Sequence, residues 1–245
     1  MFCIKMAGLT IQVCNQYQYV RHLCKDDVVP DTDGFDLSVT VEDQEIKKEI
    51  EESDFPVSEG YAEGICVYRK ICQQLPLLFG AFLMHCAVIE YEGNGYAFAA
   101  ASGTGKSTHI SLWQKKFGES VRIINGDKPI MRFVDDLLYA YGTPWCGKEG
   151  YNVNTAVPLK ALCFLERSSE NRISKITPKE AVMRVFHQVL TPSDVESLDA
   201  FLPLLDRMLR QIPCYVLGCN ISEEAAEVSY RGMRGNNLNE KEESI

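Results

Sequence analysis

A phosphate-binding pattern is the strongest chemical signal in this sequence. Residues 100–108 read Ala-Ala-Ser-Gly-Thr-Gly-Lys-Ser-Thr, which fits the GxxxxGK[ST] loop except that Ala100 stands where glycine is usual. The glycines let backbone N–H groups turn toward one point, at the positive end of a following helix. A plain strand–helix connection is the competing interpretation. The residues predicted to bind a nucleoside triphosphate are Ser102, Gly103, Thr104, Gly105, Lys106, Ser107 and Thr108.

Two of these residues are predicted to act on the phosphates with a later carboxylate. Lys106 is expected to neutralise the β- and γ-phosphates, and the hydroxyl of Ser107 is expected to hold Mg²⁺. Asp127 follows an apolar strand about 20 residues after the lysine, so it is a second candidate metal ligand. It is also a candidate for accepting the proton of an attacking hydroxyl. A simple Asp-Lys turn is the alternative. The pattern thus predicts ATP and Mg²⁺ as cofactors.

Three weaker candidates accompany this group. His85 is predicted to lie within the strand that precedes the loop, where a satisfied core histidine is the usual interpretation. Arg167 is a candidate counter-charge for the transferring phosphoryl group, or else an ordinary surface arginine. Residues 141–150 are rich in turn formers and include Trp145 and Lys148 beside Glu149, so this loop either covers a ligand or is a connection with a packed tryptophan.

Alternating strands and helices are predicted to position these residues. Residues 82–92 and 96–102 read as buried strands joined by a tight turn at 93–95. A helix to about residue 117 follows. Further strands are predicted at 121–124, 129–133, 137–141, 157–165 and 213–219, with a last helix from Ser222. This alternation favours an α/β core over residues 81–232.

The remaining chain is predicted to flank that core. Residues 1–80 are expected to form a small α+β section, with strands at 8–14 and 35–41 around an Asp-rich loop, an acidic surface helix from Glu42 to Glu52, and a helix that ends near Pro76. Capping boxes begin two further helices at Thr177 and Ser193. The second is expected to bury Val195, Leu198, Leu202, Leu205 and Leu209, with a kink or restart at Pro203. Residues 233–245 are predicted to be disordered.

Composition limits the partners of the protein. A formal net charge of −9 argues against general attraction to nucleic acid or to an anionic membrane. The first ten residues lack the features of a signal peptide, and the sequence has no apolar run of the length a membrane helix needs. The ten cysteines are scattered singly, which favours reduced, buried side chains. These observations predict a cytoplasmic protein.

The run Leu83-Met-His-Cys-Ala-Val, the SGTGKST loop and the later Asn125-Gly-Asp together resemble the HPr kinase/phosphorylase-like family and the phosphoenolpyruvate carboxykinase nucleotide core. The resemblance extends over about residues 82–132. It implies a P-loop fold with a mixed sheet and flanking helices, in which His85 and Asp127 face the metal and the phosphates. HPr kinases have two aspartates at the end of the corresponding strand, whereas this chain has Gly126 before a single Asp127.

The sequence therefore predicts a kinase that uses Mg-ATP to phosphorylate a serine-type hydroxyl on a protein, peptide or small molecule. Asp127 would orient or deprotonate the hydroxyl, while Lys106 stabilises the charge of the transition state and His85 assists. The alternative is a nucleotide-binding regulatory module that hydrolyses ATP slowly or not at all.

Overall fold

The computed structural model describes residues 1–30 and 34–235, which form two β-sheets and seven α-helices. The elements of the first 80 residues are β1 (Phe2–Met6), β2 (Leu9–Cys14), α1 (Gln18–Leu23), β3 (Val28–Val29), β4 (Leu37–Thr40), α2 (Asp43–Glu51) and α3 (Glu59–Phe79). Their four strands form one sheet in the order β3-β1-β2-β4. The Asp-rich loop predicted before β4 includes residues 31–33, which lie outside the described residues.

The predicted strands of this section agree with β2 and β4, but β1, α1 and β3 were not predicted. Strand β1 buries four of its five residues, so it lacks the polar–apolar alternation by which strands are found. It pairs antiparallel with β2. The connecting turn is formed by Ala7 and Gly8, which both have positive φ.

The two helices that follow differ in how well their ends were predicted. The acidic segment forms α2, as expected, and a capping box between Glu42 and Glu45 begins it. Helix α3 does not end near Pro76; it continues to Phe79. Pro76 and Leu75 are buried, so packing outweighs the one hydrogen bond that a proline removes. Gly80, in the left-handed conformation, ends the helix by donating its N–H to the Leu75 carbonyl.

The second sheet contains the strand that precedes the predicted phosphate-binding loop. Its strands are β5 (Ala81–Leu83), β6 (Cys86–Tyr91), β7 (Asn94–Ala99), β8 (Val121–Asn125), β9 (Ile130–Val134), β10 (Leu137–Tyr141), β11 (Ala156–Arg167), β12 (Arg172–Ile176) and β13 (Cys214–Cys219). The order is β5-β9-β10-β11-β7-β6-β8, and β13 pairs with both β11 and β12. Strand β11 is antiparallel to β10 but parallel to β7 and β13. The sheet is therefore mixed, as the sequence predicted.

The predicted strand over residues 82–92 is wrong in one respect that matters for the site. It consists of two strands, β5 and β6, which are separated by Met84 and His85 and have different partners: β5 pairs with β9, and β6 with β7 and β8. The turn after β6 also differs from the prediction, because Glu92 and Gly93 form it and Asn94 already belongs to β7.

Four helices flank this sheet: α4 (Lys106–Phe117), α5 (Pro178–Phe186), α6 (Val195–Gln211) and α7 (Glu223–Met233). The capping box of α5 is present, but α6 is capped by Asp194 and not by Ser193. Helix α6 also runs through Pro203 without restarting. Its buried face was only partly predicted: Val195 and Leu202 are exposed, whereas Phe201, Leu205, Met208 and Leu209 are buried.

Three apolar clusters hold these elements together. Helices α4 and α7 pack with one face of the second sheet, and α5 and α6 pack with the other. The third cluster joins the first sheet and α3 to Leu83, Ile130 and Trp145 of the following chain. Eight of the ten cysteines are buried. No helix within residues 1–30 and 34–235 is both long and apolar enough to cross a bilayer.

Candidate functional site

The segment between β7 and α4 has the backbone of an anion-binding turn. Strand β7 ends at Ala99 and α4 begins at Lys106. In between, Gly103 and Gly105 have φ values of 74° and 123°, which side chains other than glycine rarely adopt. The first turn of α4 has no acidic residue and no side-chain cap, so its leading N–H groups keep their capacity to donate.

Ala100 fits where the usual pattern has glycine. It is buried, and it is not among the residues with positive φ, so its methyl group causes no backbone strain. Its carbonyl oxygen accepts a hydrogen bond of 3.2 Å from the Lys106 ammonium group. The alanine therefore leaves the turn intact.

The structure brings the three predicted catalytic residues together. The Nζ of Lys106 lies 3.0 Å from the Nε2 of His85, and the same Nε2 lies 2.9 Å from the Oδ1 of Asp127. Each comes from the end of an element: α4 begins with the lysine, β8 ends two residues before the aspartate, and the histidine separates β5 from β6. His85 is thus at a break between strands and not inside a strand. The backbone N–H of His85 donates to the Gln188 carbonyl oxygen.

Only one of the two contacts at His85 can be a hydrogen bond at a given moment, because Nε2 carries either a hydrogen or a lone pair. If Nε2 is protonated it donates to Asp127, and the Lys106 ammonium group is released toward other acceptors. If Nε2 is unprotonated it accepts from Lys106. Protonation of one ring nitrogen therefore decides whether the lysine or the aspartate is bound to the histidine.

Burial and neighbouring charges act on the ionisation of this group. Desolvation lowers the pKa of Lys106, and the charge of Asp127 opposes this effect only in part. For Asp127, burial alone would raise the pKa. The hydrogen bond with His85, together with the charges of His85, Lys128 and Lys106, outweighs burial, so the pKa is lowered overall. The carboxylate is ionised at neutral pH and able to bind a cation or accept a proton.

A buried network holds the Asp127 turn in place. The side-chain oxygen of Asn125, which is fully buried, accepts hydrogen bonds from the N–H groups of Asp127 and Lys128 at 2.8 and 2.7 Å. The Lys128 carbonyl accepts from the hydroxyls of Tyr68 and Thr143, at 2.6 and 2.8 Å. Sequence reasoning missed these supports. The Asn-Gly-Asp run carries the local signal of an Asx turn, whereas nothing in the sequence indicates contacts from residues as distant as Tyr68.

The loop at 141–150 approaches Asp127 through its backbone. A Cβ atom at Gly147 would lie 3.1 Å from the Cβ of Asp127, and a Cβ atom at Gly126 would lie 2.9 Å from the Cys146 carbonyl oxygen. The loop thus occupies the space that a side chain at position 126 would need. Trp145 does not face this region. It stacks on Tyr68 with ring centroids 4.3 Å apart and donates its N–H to the Gly64 carbonyl.

Some of the other predicted residues lie on or contact the segment between β7 and α4, and others are exposed at the surface. Ser102 and Thr108 are exposed, and Thr104 and Ser107 are partly buried. Arg167 contacts the loop, since its Nη2 donates to the Gly103 carbonyl at 2.6 Å. Lys148 and Glu149 are exposed. Within the described ranges, no group of three or more His, Cys, Asp or Glu side chains has the arrangement of a metal site.

Ser107 and Asp127 offer hydroxyl and carboxylate oxygens, which are donors that Mg²⁺ prefers, and phosphates and water commonly complete such a coordination sphere. Ser107 is adjacent in sequence to Lys106, whose ammonium group contacts the His85 that binds Asp127. The chemistry of these two oxygen donors fits a magnesium ion bound together with a phosphate.

Comparison with known proteins gives a family but no activity. The HPr(Ser) kinase/phosphatase of Coxiella burnetii, a solved structure, aligns with 62% of this chain and 99% of its own, with 8% identity and a TM-score of 0.37. Likeness at that level does not place the chain among HPr kinases. No curated protein matches the sequence. A family model does match residues 63–228, from within α3 to within α7, and its description is "SynChlorMet cassette protein ScmC". The chain belongs to the ScmC family.

Proposed function

We propose that this protein is an ATP-dependent kinase that transfers the γ-phosphoryl group to a serine-type hydroxyl on a protein, peptide or small molecule. The observation that supports this most is the contact chain from Lys106 through His85 to Asp127 beside a glycine-rich turn at the start of α4. An ammonium group, a carboxylate and uncapped helix N–H groups are the parts that phosphoryl transfer requires.

In the proposed reaction the acceptor oxygen forms a bond to the γ-phosphorus, and the bond from that phosphorus to the β–γ bridging oxygen breaks. The electron pair of the broken bond leaves with ADP. The Asp127 carboxylate takes the proton of the acceptor hydroxyl, and Lys106 stabilises charge on the phosphoryl oxygens. His85 then donates through Nε2 to the Oδ1 of Asp127, and Oδ2, which lies 3.6 Å from the Lys128 Nζ, takes the proton.

Ser107 and Asp127 are the residues proposed to hold Mg²⁺. When bound, this ion supplies positive charge that offsets the negative charge of the phosphates. The N–H groups of the turn and the first residues of α4 hold the phosphate chain, and Gly103 and Gly105 let those groups converge. Residues 1–80 and 81–232 remain the proposed division into an N-terminal section and a kinase core.

The deciding experiment is phosphate transfer from γ-labelled ATP in a cell lysate, followed by identification of the labelled species. Asp127→Asn should reduce transfer at least 100-fold, because the amide cannot accept the proton, while ATP affinity changes less than threefold. Asp206→Asn is a matched control, since Asp206 is exposed and its ion pair among the described residues is with Arg210 of its own helix. Unchanged transfer by Asp127→Asn would contradict the assigned role.

The same experiment separates the kinase from a nucleotide-binding regulatory module. Such a module would bind ATP and gain thermal stability without forming a phosphorylated product. Lys106→Ala should weaken ATP binding in either case, because desolvated positive charge is lost beside the phosphates. Retention of full ATP affinity by Lys106→Ala would exclude both interpretations.

A further inference from the structure

A cavity of about 410 Å³ adjoins the phosphate-binding turn, and the proposed reaction leaves it unused. Its wall includes Gly103, Thr104, Gly105 and Thr108, from the turn and the first residues of α4. The remaining wall comes from the end of β11 and the segment after β13. Lys106, His85 and Asp127 do not line it. The turn therefore borders two regions, and only one of them contains the proposed catalytic group.

This arrangement restricts the direction in which the nucleoside of a bound nucleotide can lie relative to the turn. If the terminal phosphate lies at Lys106 and Asp127, the phosphate chain crosses the turn and the nucleoside must leave it in another direction. The cavity is the space available along the same turn, and its volume falls within the range of about 300–1,000 Å³ that is usual for small-molecule sites. Its size fits a nucleoside.

Aliphatic side chains supply the surfaces that a flat base would contact. Leu112 on α4 and Leu165 on β11 line the cavity, and Ile221 lies on the segment between β13 and α7. Ile221 is 82% exposed, more than any other large apolar side chain among the described residues. An isoleucine so exposed at the rim of a cavity is available to cover a ring bound inside it.

Outside the turn and the first turn of α4, the polar side chains of the wall are already hydrogen-bonded or ion-paired. Asn220 donates to the Ser169 carbonyl and accepts from the N–H and hydroxyl of Ser222. In addition, Ser168 Oγ accepts from a backbone N–H, Glu166 pairs with Arg184, and Arg167 donates to Gly103. The Nδ1 of His109 has no hydrogen-bond partner among the described residues, but it has almost no accessible surface. Apart from Thr104 in the turn and Thr108 in the first turn of α4, few side chains of the wall remain that could distinguish one base edge from another.

We infer that this cavity holds the nucleoside of the triphosphate by apolar contact and discriminates weakly between adenine and guanine. The inference rests on the proposed function, since it needs a triphosphate on the turn. Sites that bind through shape and apolar contact separate similar ligands by about 10- to 200-fold at most, far less than sites that hydrogen-bond to a ligand's polar groups. ATP and GTP should therefore bind with dissociation constants within about tenfold of each other.

Affinity measurements with ATP, GTP and tripolyphosphate, each with magnesium, test this inference. Ile221→Asn should weaken both nucleotides about fivefold and leave tripolyphosphate within twofold, because only the nucleosides lose the covering side chain. Val195→Asn is the matched control, since Val195 is also an exposed aliphatic residue but lies on α6. A second variant, Cys219→Phe, should fill the cavity and weaken the nucleotides by more than tenfold, with a thermal melt to verify folding.

The outcomes separate the inference from the proposal beneath it. If wild-type protein binds neither ATP nor tripolyphosphate, the proposed function fails. If the wild-type protein binds ATP and tripolyphosphate equally tightly, the phosphate site stands and the cavity assignment is overturned. The same conclusion follows if Ile221→Asn weakens the binding of ATP and of tripolyphosphate by the same factor. A preference of more than about tenfold for either nucleotide over the other would overturn the weak discrimination.

Discussion

At the scale of single residues, the site depends on charges that are partly removed from water. Lys106 is buried and Asp127 is partly buried, and neither has the pKa of a free side chain. Both residue types and their spacing were evident in the sequence. Their relation to His85 was not, because it depends on an interruption between β5 and β6 that a continuous apolar run conceals.

A second buried acid, Asp27, is expected to affect stability. It is 3% exposed, its Oδ1 has no hydrogen-bond partner in the described chain, and burial followed by the charge of Asp26 raises its pKa to about 6. The pKa of Asp27 is higher in the folded state than in the unfolded state. The stability that its protonated carboxyl group contributes is therefore fully present below about pH 4 and is lost as the pH rises through 6.

Asp27→Asn should therefore stabilise the protein at pH 8 by about 3 kcal/mol, since the pKa of Asp27 is raised from 3.8 to about 6 and each pKa unit corresponds to about 1.4 kcal/mol. At pH 4 the gain should be much smaller, because the native carboxyl group is then already protonated. Urea unfolding at the two pH values measures the difference. Asp54→Asn, at an exposed position that does not contribute to the pKa shift of Asp27, should change stability little. Equal gains from Asp27→Asn at both pH values would show that the ionisation of Asp27 has no part in the effect.

At the scale of elements, the sequence located most strands and helices but not the exceptions set by packing. The strand at Val121 and the helix before Phe117 carry clear local patterns, and both agree with the structure. Helix α3 continues past its proline because Leu75 and its neighbours are buried. Val195 and Leu202 follow the helical period of α6, yet they are exposed, since the buried face is centred on Phe201 and Leu205. Periodicity identifies a helix, but only the neighbouring elements decide which side is covered.

The fit between the Asp127 turn and the loop at 141–150 gives a prediction at this scale. Gly126→Ala would place a methyl group 2.9 Å from the Cys146 carbonyl oxygen and 3.3 Å from the Cβ of Tyr151, so the turn or the loop must shift. We expect a loss of about 1–3 kcal/mol in the free energy of unfolding. The transfer rate should fall more than ATP affinity, because Asp127 moves and the phosphate-binding turn does not.

Gly150→Ala is the matched control for this change. It also adds a methyl group to the loop and strains a positive φ, but the methyl group enters open space. Urea unfolding and steady-state phosphate transfer on both variants measure the two effects. If Gly126→Ala and Gly150→Ala reduce transfer equally, general disturbance of the loop explains the loss, and the contact beside Asp127 does not.

At the scale of the whole molecule, α3 links the N-terminal section to the candidate site. The Tyr68 hydroxyl donates to the Lys128 carbonyl, and the Tyr68 ring stacks on Trp145. No pattern in the sequence linked residues 1–80 to the chemistry, because contacts between residues 60 positions apart leave no local signal. The match to the family model begins at residue 63 and so includes this tyrosine.

Tyr68→Phe should therefore lower the transfer rate several-fold without changing the KM for ATP, since the ring stays in place and only the support of the Asp127–Lys128 turn is lost. The free energy of unfolding should fall by about 1 kcal/mol, the usual contribution of one hydrogen bond. Tyr61→Phe, on the same helix but more exposed, is the control. If Tyr68→Phe lowers the free energy of unfolding and leaves the transfer rate unchanged, the role of Tyr68 is structural only.

Strand β11 has a consequence for how two ligands could influence each other. It follows directly from the segment beside Asp127, and its twelve residues span about 40 Å at the usual rise of a strand. Its final residue, Arg167, donates to Gly103. One extended segment, with a register irregularity between Leu159 and Ala161, thus leads from the neighbourhood of Asp127 to the backbone that borders the cavity. We expect a displacement at one end of β11 to be transmitted toward the other, so that a ligand in either region would affect the shape of its counterpart.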